Sequence, residues 1–361
     1  MNAVRVSFAR RMAVRTVAAA TLLMAGSVPG ALSLASAQQP AADAAPGQAA
    51  PAAAPEGAGG MGKVPAAVSV LSIVEHPSLD ALRDGLHDEL KAAGYQDGKT
   101  LHWAYQSAQG NPGTAAQIAR KFVGDRPDVI VPIATPAAQA VVAATRDIPV
   151  VYNAITDPVG AHLVKSMAPS GTNVTGVSDR LVAEQQVAFI RRVVPDAKRV
   201  GMIYSPGEAN SVTVKREMKE VLERQGMTLI EAAAPRSVDV GQAARRLSGK
   251  VDVIYTGNDN NVISAYEAVI RVANDAKIPL ICADRSSVQR GATGAMAIDY
   301  YTMGRQTGRM VLRILRGEKP GDLASETSDQ LNITLNLAAA KRQGATISPE
   351  LRAGAHEVFG E

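Results

Sequence analysis

A regular alternation of short apolar runs and helical stretches, beginning at Pro65, is the feature that most constrains the fold of this 361-residue chain. The apolar runs are rich in β-branched residues and too short for helices, which is typical of strands buried on both faces. Strands that alternate with helices predict a parallel sheet covered by helices. The predicted strands of the first half are residues 68–74, 101–106, 128–133, 148–153 and 173–177. The predicted helices between them are residues 79–93, 114–124 and 136–144.

The same alternation starts again after residues 178–184, which interrupt the rhythm once the first set of strands is complete. This break predicts a second sheet of the same kind rather than an extension of the first. Its predicted strands are residues 199–204, 228–232, 251–255 and 279–283, and its predicted helices are residues 182–194, 210–225, 240–247 and 262–276. Past Ala283 the alternation fails, and the elements left over are a strand at residues 293–298, a helix at 300–316, a strand at 331–335 and a final helical stretch after it.

Elements left over after two complete sheets indicate that the chain crosses back between two domains. The predicted fold is therefore α/β, with two doubly wound parallel-sheet domains joined by a multi-crossing hinge. We expect the N-terminal lobe to comprise residues 65–177 plus about 297–320, and the C-terminal lobe residues 178–296 plus about 321–361. The carboxyl ends of the strands of both sheets would face a cleft between the lobes, where a ligand could bind.

Two neighbouring strand ends carry a threonine and a proline in the pattern of a helix start. After the third predicted strand, Thr135 is a predicted N-cap and Pro136 takes the first helical position, where its missing N–H costs nothing. After the fourth, Thr156 or Asp157 is expected to cap a helix that continues through Pro158. Hydroxyl groups and free backbone N–H groups at two such turns predict an anion-binding corner that would suit a carboxylate. Two ordinary helix caps are the structural alternative.

The N-terminal segment has the composition of an export signal followed by a linker. Residues 1–37 combine a basic start, an apolar stretch and a small-residue cleavage site, Ala35-Ser36-Ala37, as secretory signal peptides do. Residues 38–64 are almost entirely Ala, Pro, Gly and Gln, which predicts a disordered spacer. The only cysteine, Cys282, lies in a predicted strand, so none follows the cleavage site to carry a lipid. We expect a monomeric protein in the periplasm, without a lipid anchor.

Composition and motifs argue against several function classes. The net charge of +4 is small and lies largely in the basic start, so nucleic acid is not an expected partner. The five histidines are scattered without metal-ligand spacing. No Gly-x-Ser-x-Gly motif is present, and no Gly-x-Gly-x-x-Gly follows a strand. We therefore expect a binding protein, with no catalytic residue, metal or cofactor, rather than an enzyme.

Residues just past the predicted strand ends are the candidate ligand contacts, because the carboxyl ends of the strands border the cleft. In the first lobe these are Glu75, His76, Thr135, Ala137, Asn153, Thr156 and Asp157. In the second lobe they are Ser205, Asn210, Ser211, Asn258, Asp259 and Asp284. The alternative is that many of them only cap helices, and for Asp299 the cap is the expected role.

Seven short motifs, in order along the chain, resemble those of one bacterial family. They are residues 74–80 (VEHPSLD), 134–139 (ATPAAQ), 156–159 (TDPV), 171–178 (GTNVTGVS), 205–211 (SPGEANS), 259–262 (DNNV) and 298–308 (IDYYTMGRQTG). With them, about residues 66–360 are similar to the ABC-transporter substrate-binding proteins of the tryptophan/tyrosine-type family, which have the type I periplasmic-binding-protein fold. The resemblance implies capture of a small solute, often an aromatic or branched amino acid, and delivery to a membrane permease. Many members are lipid-anchored, and this chain lacks the cysteine for that anchor.

The expected function is that of an extracytoplasmic solute-binding protein of an ABC importer, which captures an amino-acid-like ligand by hinge closure. A ligand-binding subunit of a sensory or chemotaxis system would use the same cleft and is the alternative. An amino acid also brings an ammonium group, and burying that group without a partner would be costly. Asp259 is the first candidate for this partner, with Asp157 and Asp284 in reserve.

Overall fold

The computed structural model describes residues 62–328 and 330–361. The predicted signal peptide and residues 38–61 of the predicted spacer lie outside the described residues. Within the two described ranges, no helix is both long enough and apolar enough to cross a membrane.

Most helices and strands of the described residues lie within a few residues of their predicted positions. The strands are β1 (Ala66–Ser72), β2 (Leu101–Ser107), β3 (Val129–Ile133), β4 (Val150–Asn153), β5 (Val174–Ser178), β6 (Arg199–Tyr204), β7 (Thr228–Ala233), β8 (Val253–Thr256), β9 (Leu280–Cys282), β10 (Gly294–Ile298), β11 (Glu326–Thr327), β12 (Leu331–Asn336) and β13 (Glu357–Phe359). The helices are α1 (Pro77–Ala92), α2 (Pro112–Asp125), α3 (Thr135–Ala144), α4 (Ala183–Val193), α5 (Ala209–Arg224), α6 (Val240–Leu247), α7 (Asn260–Ser264), α8 (Tyr266–Ala276), α9 (Arg285–Arg290), α10 (Tyr300–Leu315), α11 (Leu337–Arg342) and α12 (Pro349–Ala353). The short elements α9, β11 and β13 have no predicted counterpart.

The strands form two sheets, and the predicted α/β fold with two lobes is confirmed. The first sheet has the order β11-β5-β4-β3-β1-β2, and all of its pairs are parallel. The second has the order β13-β12-β10-β9-β8-β6-β7. In this sheet β12 pairs antiparallel with β10 and parallel with β13, so these last two strands run against the others. The chain leaves the second lobe at the carboxyl end of β10 and returns to it at the same end of the sheet. Because it enters there, β12 runs back alongside β10 in the opposite direction.

The chain passes between the lobes three times within the described residues. It leaves the first sheet after β5, returns from β10 into α10, and leaves again after β11. Helix α10 packs in the hydrophobic core of the first lobe, as the left-over elements predicted. Strand β11 pairs with β5, so the first lobe extends to Thr327, and the predicted return to the second lobe near residue 321 is too early.

Two predicted helix starts differ from the structure for local reasons. Helix α2 begins before Thr114 because Asn111 is its N-cap, with Asn111 Oδ1 accepting a hydrogen bond from the Thr114 N–H at 3.1 Å. No helix follows β4, where Asp157 Oδ1 accepts from the Gly160 N–H at 2.8 Å and closes a turn. His162 then has a left-handed φ of 60°, through which a right-handed helix cannot continue. The predicted capping of a helix by Thr156 or Asp157 is therefore wrong.

Helices α1 and α10 approach each other closely because glycines lie between their backbones. A Cβ atom at Gly304 of α10 would lie 2.1 Å from the carbonyl oxygen of Leu82 in α1. A Cβ atom at Gly85 of α1 would lie 2.2 Å from the carbonyl oxygen of Tyr301 in α10. Both distances are impossible for real side chains, so the contact requires glycine at both positions. It holds α10 in the first lobe directly after the crossing from β10.

We expect Gly304→Ala to lower the free energy of unfolding by about 1–3 kcal/mol, as overpacking of a close-packed interior does, because the two helices must separate. Gly124→Ala is the matched control, since a Cβ atom at Gly124 in α2 would meet no atom within 4 Å. That change should stabilise the protein by up to about 1 kcal/mol, because alanine favours the helix. Urea unfolding measures both effects, and equal stabilities of the two variants would contradict the role given to Gly304.

Candidate ligand-binding site

The carboxyl ends of the two sheets face each other across a cleft that is closed by hydrogen bonds. Ser78 Oγ, at the start of α1, donates to Asp284 Oδ1 of the second lobe at 2.9 Å and lies 2.8 Å from Ser286 Oγ. Asn258 Nδ2 of the second lobe donates to Asp179 Oδ2, just after β5, at 2.9 Å. The two lobes are therefore in direct contact through side chains that follow their strands.

A cavity of about 20 Å³ lies between the lobes. This volume can hold a water molecule but is far below the ~300–1,000 Å³ of a small-molecule site, so a larger ligand that binds at these lining residues must widen the cavity. The lining residues come from both lobes and from the crossing into α10, and they are Leu79, Ala134, Thr135, Ala154, Thr156, Asp179, Asn210, Asn258, Asn260, Ile263 and Tyr300. Four of these, Thr135, Thr156, Asn210 and Asn258, are predicted contact residues.

Several buried polar atoms in and beside this cavity make no hydrogen bond within the described residues. They include Thr135 Oγ1, Asn210 Oδ1 and Asn258 Oδ1 of the lining, and both amide atoms of Asn153, which precedes the lining residue Ala154. Buried polar groups in native proteins are nearly always paired, and an unpaired one costs about 1–3 kcal/mol. Because these atoms come from both lobes, the cleft suits a ligand that carries several polar groups.

Thr135 is available to a ligand because it does not cap its helix. The N-cap position of α3 belongs to Ala134, which has a left-handed φ of 72°, and α3 begins at Thr135. The prediction of Thr135 as the N-cap is thus wrong by one residue. A left-handed alanine is strained, and strain of this kind persists mainly where the surrounding structure enforces it, often at binding sites. The unpaired Thr135 hydroxyl and the first-turn N–H of Ala137 are consequently neighbours at the start of one helix.

Asp179, which follows β5, is a buried carboxylate within the cleft and is absent from the predicted contacts. Only 2% of its surface is exposed. Its Oδ1 accepts from Thr156 Oγ1 of the first lobe at 2.9 Å, while Oδ2 accepts from Asn258 Nδ2 at 2.9 Å and from Tyr300 Oη at 2.8 Å. Burial raises the pKa of this carboxyl group, and these neutral hydrogen-bond donors oppose the rise. Its place directly after a strand is the signal that could have identified it.

The carboxylate of Asp259 accepts hydrogen bonds from residues of its own lobe, the second lobe. Its Oδ2 accepts from the Ser205 N–H and the Ser211 hydroxyl, both at 2.6 Å, and its Oδ1 accepts from the Ser205 hydroxyl and the Val262 N–H, both at 2.9 Å. A carboxylate has about four acceptor positions, and these four donors fill them. These contacts leave no acceptor position for a ligand's ammonium group, so the structure does not support the predicted pairing of Asp259 with that group. Asp259 caps α7, and Ser205 and Ser211 hold it in place.

Glu208 positions two of the asparagines that line the cavity and is also absent from the predicted contacts. Its Oε2 accepts from Asn210 Nδ2 at 3.1 Å and from the backbone N–H and Nδ2 of Asn260 at 3.2 and 2.7 Å. Burial, with the nearby charge of Asp259, raises the pKa of Glu208 to about 7. The second lobe thus holds two acidic groups close together beneath the cleft.

Glu208 makes the stability of the protein depend on pH. Its pKa is about 7 in the folded protein and 4.5 as the ordinary value, so between these values the folded state keeps a proton that the unfolded state has lost. Stability from this group is therefore fully present below about pH 4.5 and is lost as the pH rises through about 7.

We expect Glu208→Gln, which cannot ionise, to reduce this loss of stability. Free energies of unfolding measured at about pH 5 and about pH 8 should differ less in the variant than in the wild type. Some pH dependence should persist, since burial also raises the pKa of Asp259. The same difference in both proteins would show that Glu208 does not titrate as its burial implies.

Three other predicted contacts, Glu75, His76 and Asp284, are not among the residues that line the cavity between the lobes. Glu75 is exposed, and its carboxylate accepts from Tyr105 Oη at 3.3 Å and Gln109 Nε2 at 3.0 Å within the first lobe. Asp284 caps α9 and also accepts a hydrogen bond from Ser78 of the first lobe, while His76 is buried at the start of α1.

Among the described residues, no group of three or more His, Cys, Asp or Glu side chains is arranged to hold a metal ion.

Comparison with known proteins assigns the family. Residues 67–359 match the family described as ABC transporter substrate binding protein. The chain belongs to this family. A relative of this substrate-binding protein from Clostridioides difficile strain R20291, named tyrosine-binding protein, is 38% identical over 269 residues, which are 74% of this chain and 78% of the relative.

Two solved structures show which arrangement of the lobes this substrate-binding protein resembles. The ABC domain from Streptococcus pneumoniae in complex with L-Trp is 34% identical, with 81% of this chain and 99% of that chain covered and a TM-score of 0.79. A substrate-binding protein with adhesive properties from Clostridium difficile, in its ligand-free, open form, is 35% identical, with 82% and 100% covered, yet its TM-score is 0.63. At nearly equal identity and coverage, the present structure is more similar to the L-Trp complex than to the open form.

Proposed function

We propose that this substrate-binding protein captures an aromatic amino acid, tryptophan or tyrosine, in the cleft between its lobes and delivers it unchanged to the permease of an ABC importer. The observation that carries the proposal is the set of unpaired buried polar atoms that both lobes bring to one cavity. The ligands in the names of two relatives, tyrosine and L-Trp, support the ligand class. The predicted signal peptide supports a periplasmic location.

The carboxylate of the ligand would bind at the start of α3. The Thr135 hydroxyl and the Ala137 N–H lie together there, and the helix N-terminus carries a partial positive charge. Thr156, expected to share this role, donates its hydroxyl proton to Asp179 instead. Thr156 would then act on the ligand through that carboxylate.

The ammonium group of the ligand would bind to Asp179. A buried carboxylate surrounded by neutral donors is stabilised by a cation at hydrogen-bonding distance, because opposite charges attract strongly in a site that excludes water. Asp179 also lies where both lobes and α10 meet, through Thr156, Asn258 and Tyr300. A ligand bound there would join the lobes, so binding would favour closure.

Asp179→Asn separates charge from shape at this position. We expect the variant to bind L-Trp and L-Tyr about ten- to a hundredfold more weakly, since a hydrogen bond between charged groups contributes about 1.5–3 kcal/mol. Isothermal titration calorimetry measures the dissociation constants. The fold should be kept, because asparagine fits the same space and can still accept hydrogen bonds.

Asp259→Asn is the matched control, since Asp259 is equally buried but holds only groups of its own lobe. It should lower thermal stability while leaving the affinity of the folded protein within a few-fold of wild type. The reverse pattern, normal binding in Asp179→Asn and lost binding in folded Asp259→Asn, would contradict the assignment of Asp179.

A further inference from the structure

His76 is a buried polar side chain for which the fold provides no partner. It occupies the N-cap position of α1, directly before Pro77, and its side chain makes no capping hydrogen bond. Only 6% of the residue is exposed, and both ring nitrogens are buried without a hydrogen bond among the described residues. Both ring nitrogens of an imidazole need a hydrogen-bond partner. A buried imidazole without partners therefore destabilises the fold relative to an apolar side chain of the same size.

The surroundings of His76 are polar and come from both lobes. Ser78, two residues further along, bonds to Asp284 and Ser286 of the second lobe. Asp284 Oδ1 already accepts three hydrogen bonds, from Ser78, Ser286 and the Ser287 N–H. The Ser287 hydroxyl is itself buried and unpaired. This junction of α1 and α9 therefore contains hydrogen-bonding capacity that the described residues leave unused.

His76 is connected to the interlobe cavity through the first turn of α1. Leu79, in the first turn of α1 and three residues after His76 along the chain, lines that cavity. In the first sheet β1 and β5 are separated by β3 and β4, and three strand spacings amount to about 14 Å. His76 and Asp179 follow β1 and β5, the strands at the two ends of this span. An aromatic amino acid whose ammonium group lies at Asp179 would extend along this span toward His76.

We propose that His76 binds the polar tip of the ligand's side chain, the phenol hydroxyl of tyrosine or the indole N–H of tryptophan, and so selects against phenylalanine. The inference rests on the proposed function and adds which group of the ligand's side chain the cleft recognises. Burial lowers the pKa of His76 to about 4, although the charge of Asp284 opposes this. The ring is therefore neutral near pH 7, with one nitrogen that accepts a hydrogen bond and one that donates. Phenylalanine would leave both unpaired, and sites built for a hydrogen bond discriminate against analogues that lack it.

The test compares the dissociation constants of L-Tyr, L-Trp and L-Phe for wild type, His76→Phe and His76→Gln by calorimetry. In the wild type, L-Phe should bind at least about tenfold more weakly than the better of the other two. His76→Phe should remove that preference, mainly by weakening L-Tyr and L-Trp. His76→Gln, which keeps a donor and an acceptor, should retain part of it. His87→Phe is the control, because His87 lies away from the cleft, stacked on Trp103, and should leave the preference unchanged.

Two results would overturn the proposal while the proposed function stands. One is an equal weakening of all three ligands in His76→Phe, which would mean that His76 only packs. The other is that His76→Phe binds all three ligands as tightly as the wild type does. A wild type that binds none of the three ligands would overturn the proposed function and this proposal with it.

Discussion

The buried carboxylate of Asp179 joins the two lobes and the crossing into α10 at a single point. It accepts hydrogen bonds from Thr156 of the first lobe, Asn258 of the second and Tyr300 at the crossing into α10. Taking a carboxylate out of water is costly, and neutral donors recover only part of that cost. A cation from a ligand would recover more. In the proposed function, an amino acid would stabilise the closed cleft, which would link binding to the movement of the lobes.

Acidic side chains beneath the cleft divide into two kinds by what their oxygens already bind. Asp259 has four donors from its own lobe and supports α7 without reference to the other lobe. Asp179 has donors from both lobes, so its surroundings change whenever the lobes move apart. Glu208 shares a feature with each of them. Like Asp259 it is buried in its own lobe, but it also orients Asn210 and Asn260, which line the cavity between the lobes. Position after a strand does not separate these roles, whereas the complete set of hydrogen bonds does.

Much of the fold can be predicted from the sequence because its signals are local. Elements β6 and α6 begin and end at the predicted residues, and Asp299 caps α10 as expected, its Oδ1 accepting from the Thr302 N–H at 2.9 Å. The left-over elements past Ala283 correctly indicated that the chain crosses between lobes. What failed depends on distant contacts: β11 is two residues long and exists only by pairing with β5, and the reversed direction of β12 follows from where the chain crosses.

Prediction of the site met the same limit. The rule that contacts follow strands identified four residues of the cavity lining, Thr135, Thr156, Asn210 and Asn258. It could not show that Ala134, rather than Thr135, takes the N-cap position, because this depends on a left-handed residue that sequence patterns do not favour. Nor could it distinguish Asp179 from Asp259, since both follow strands and only the folded chain determines which donors reach each carboxylate.

Small-angle scattering tests most directly whether an aromatic amino acid holds the two lobes together. The radius of gyration would be measured for the protein alone and with L-Trp or L-Tyr at a concentration that calorimetry shows to be saturating. We expect a smaller radius in the presence of the ligand, because the free protein in solution would open its cleft to hydrate the unpaired buried polar atoms, whereas a bound ligand would pair them and keep the lobes closed. An identical radius in both states, at proven saturation, would contradict this expectation.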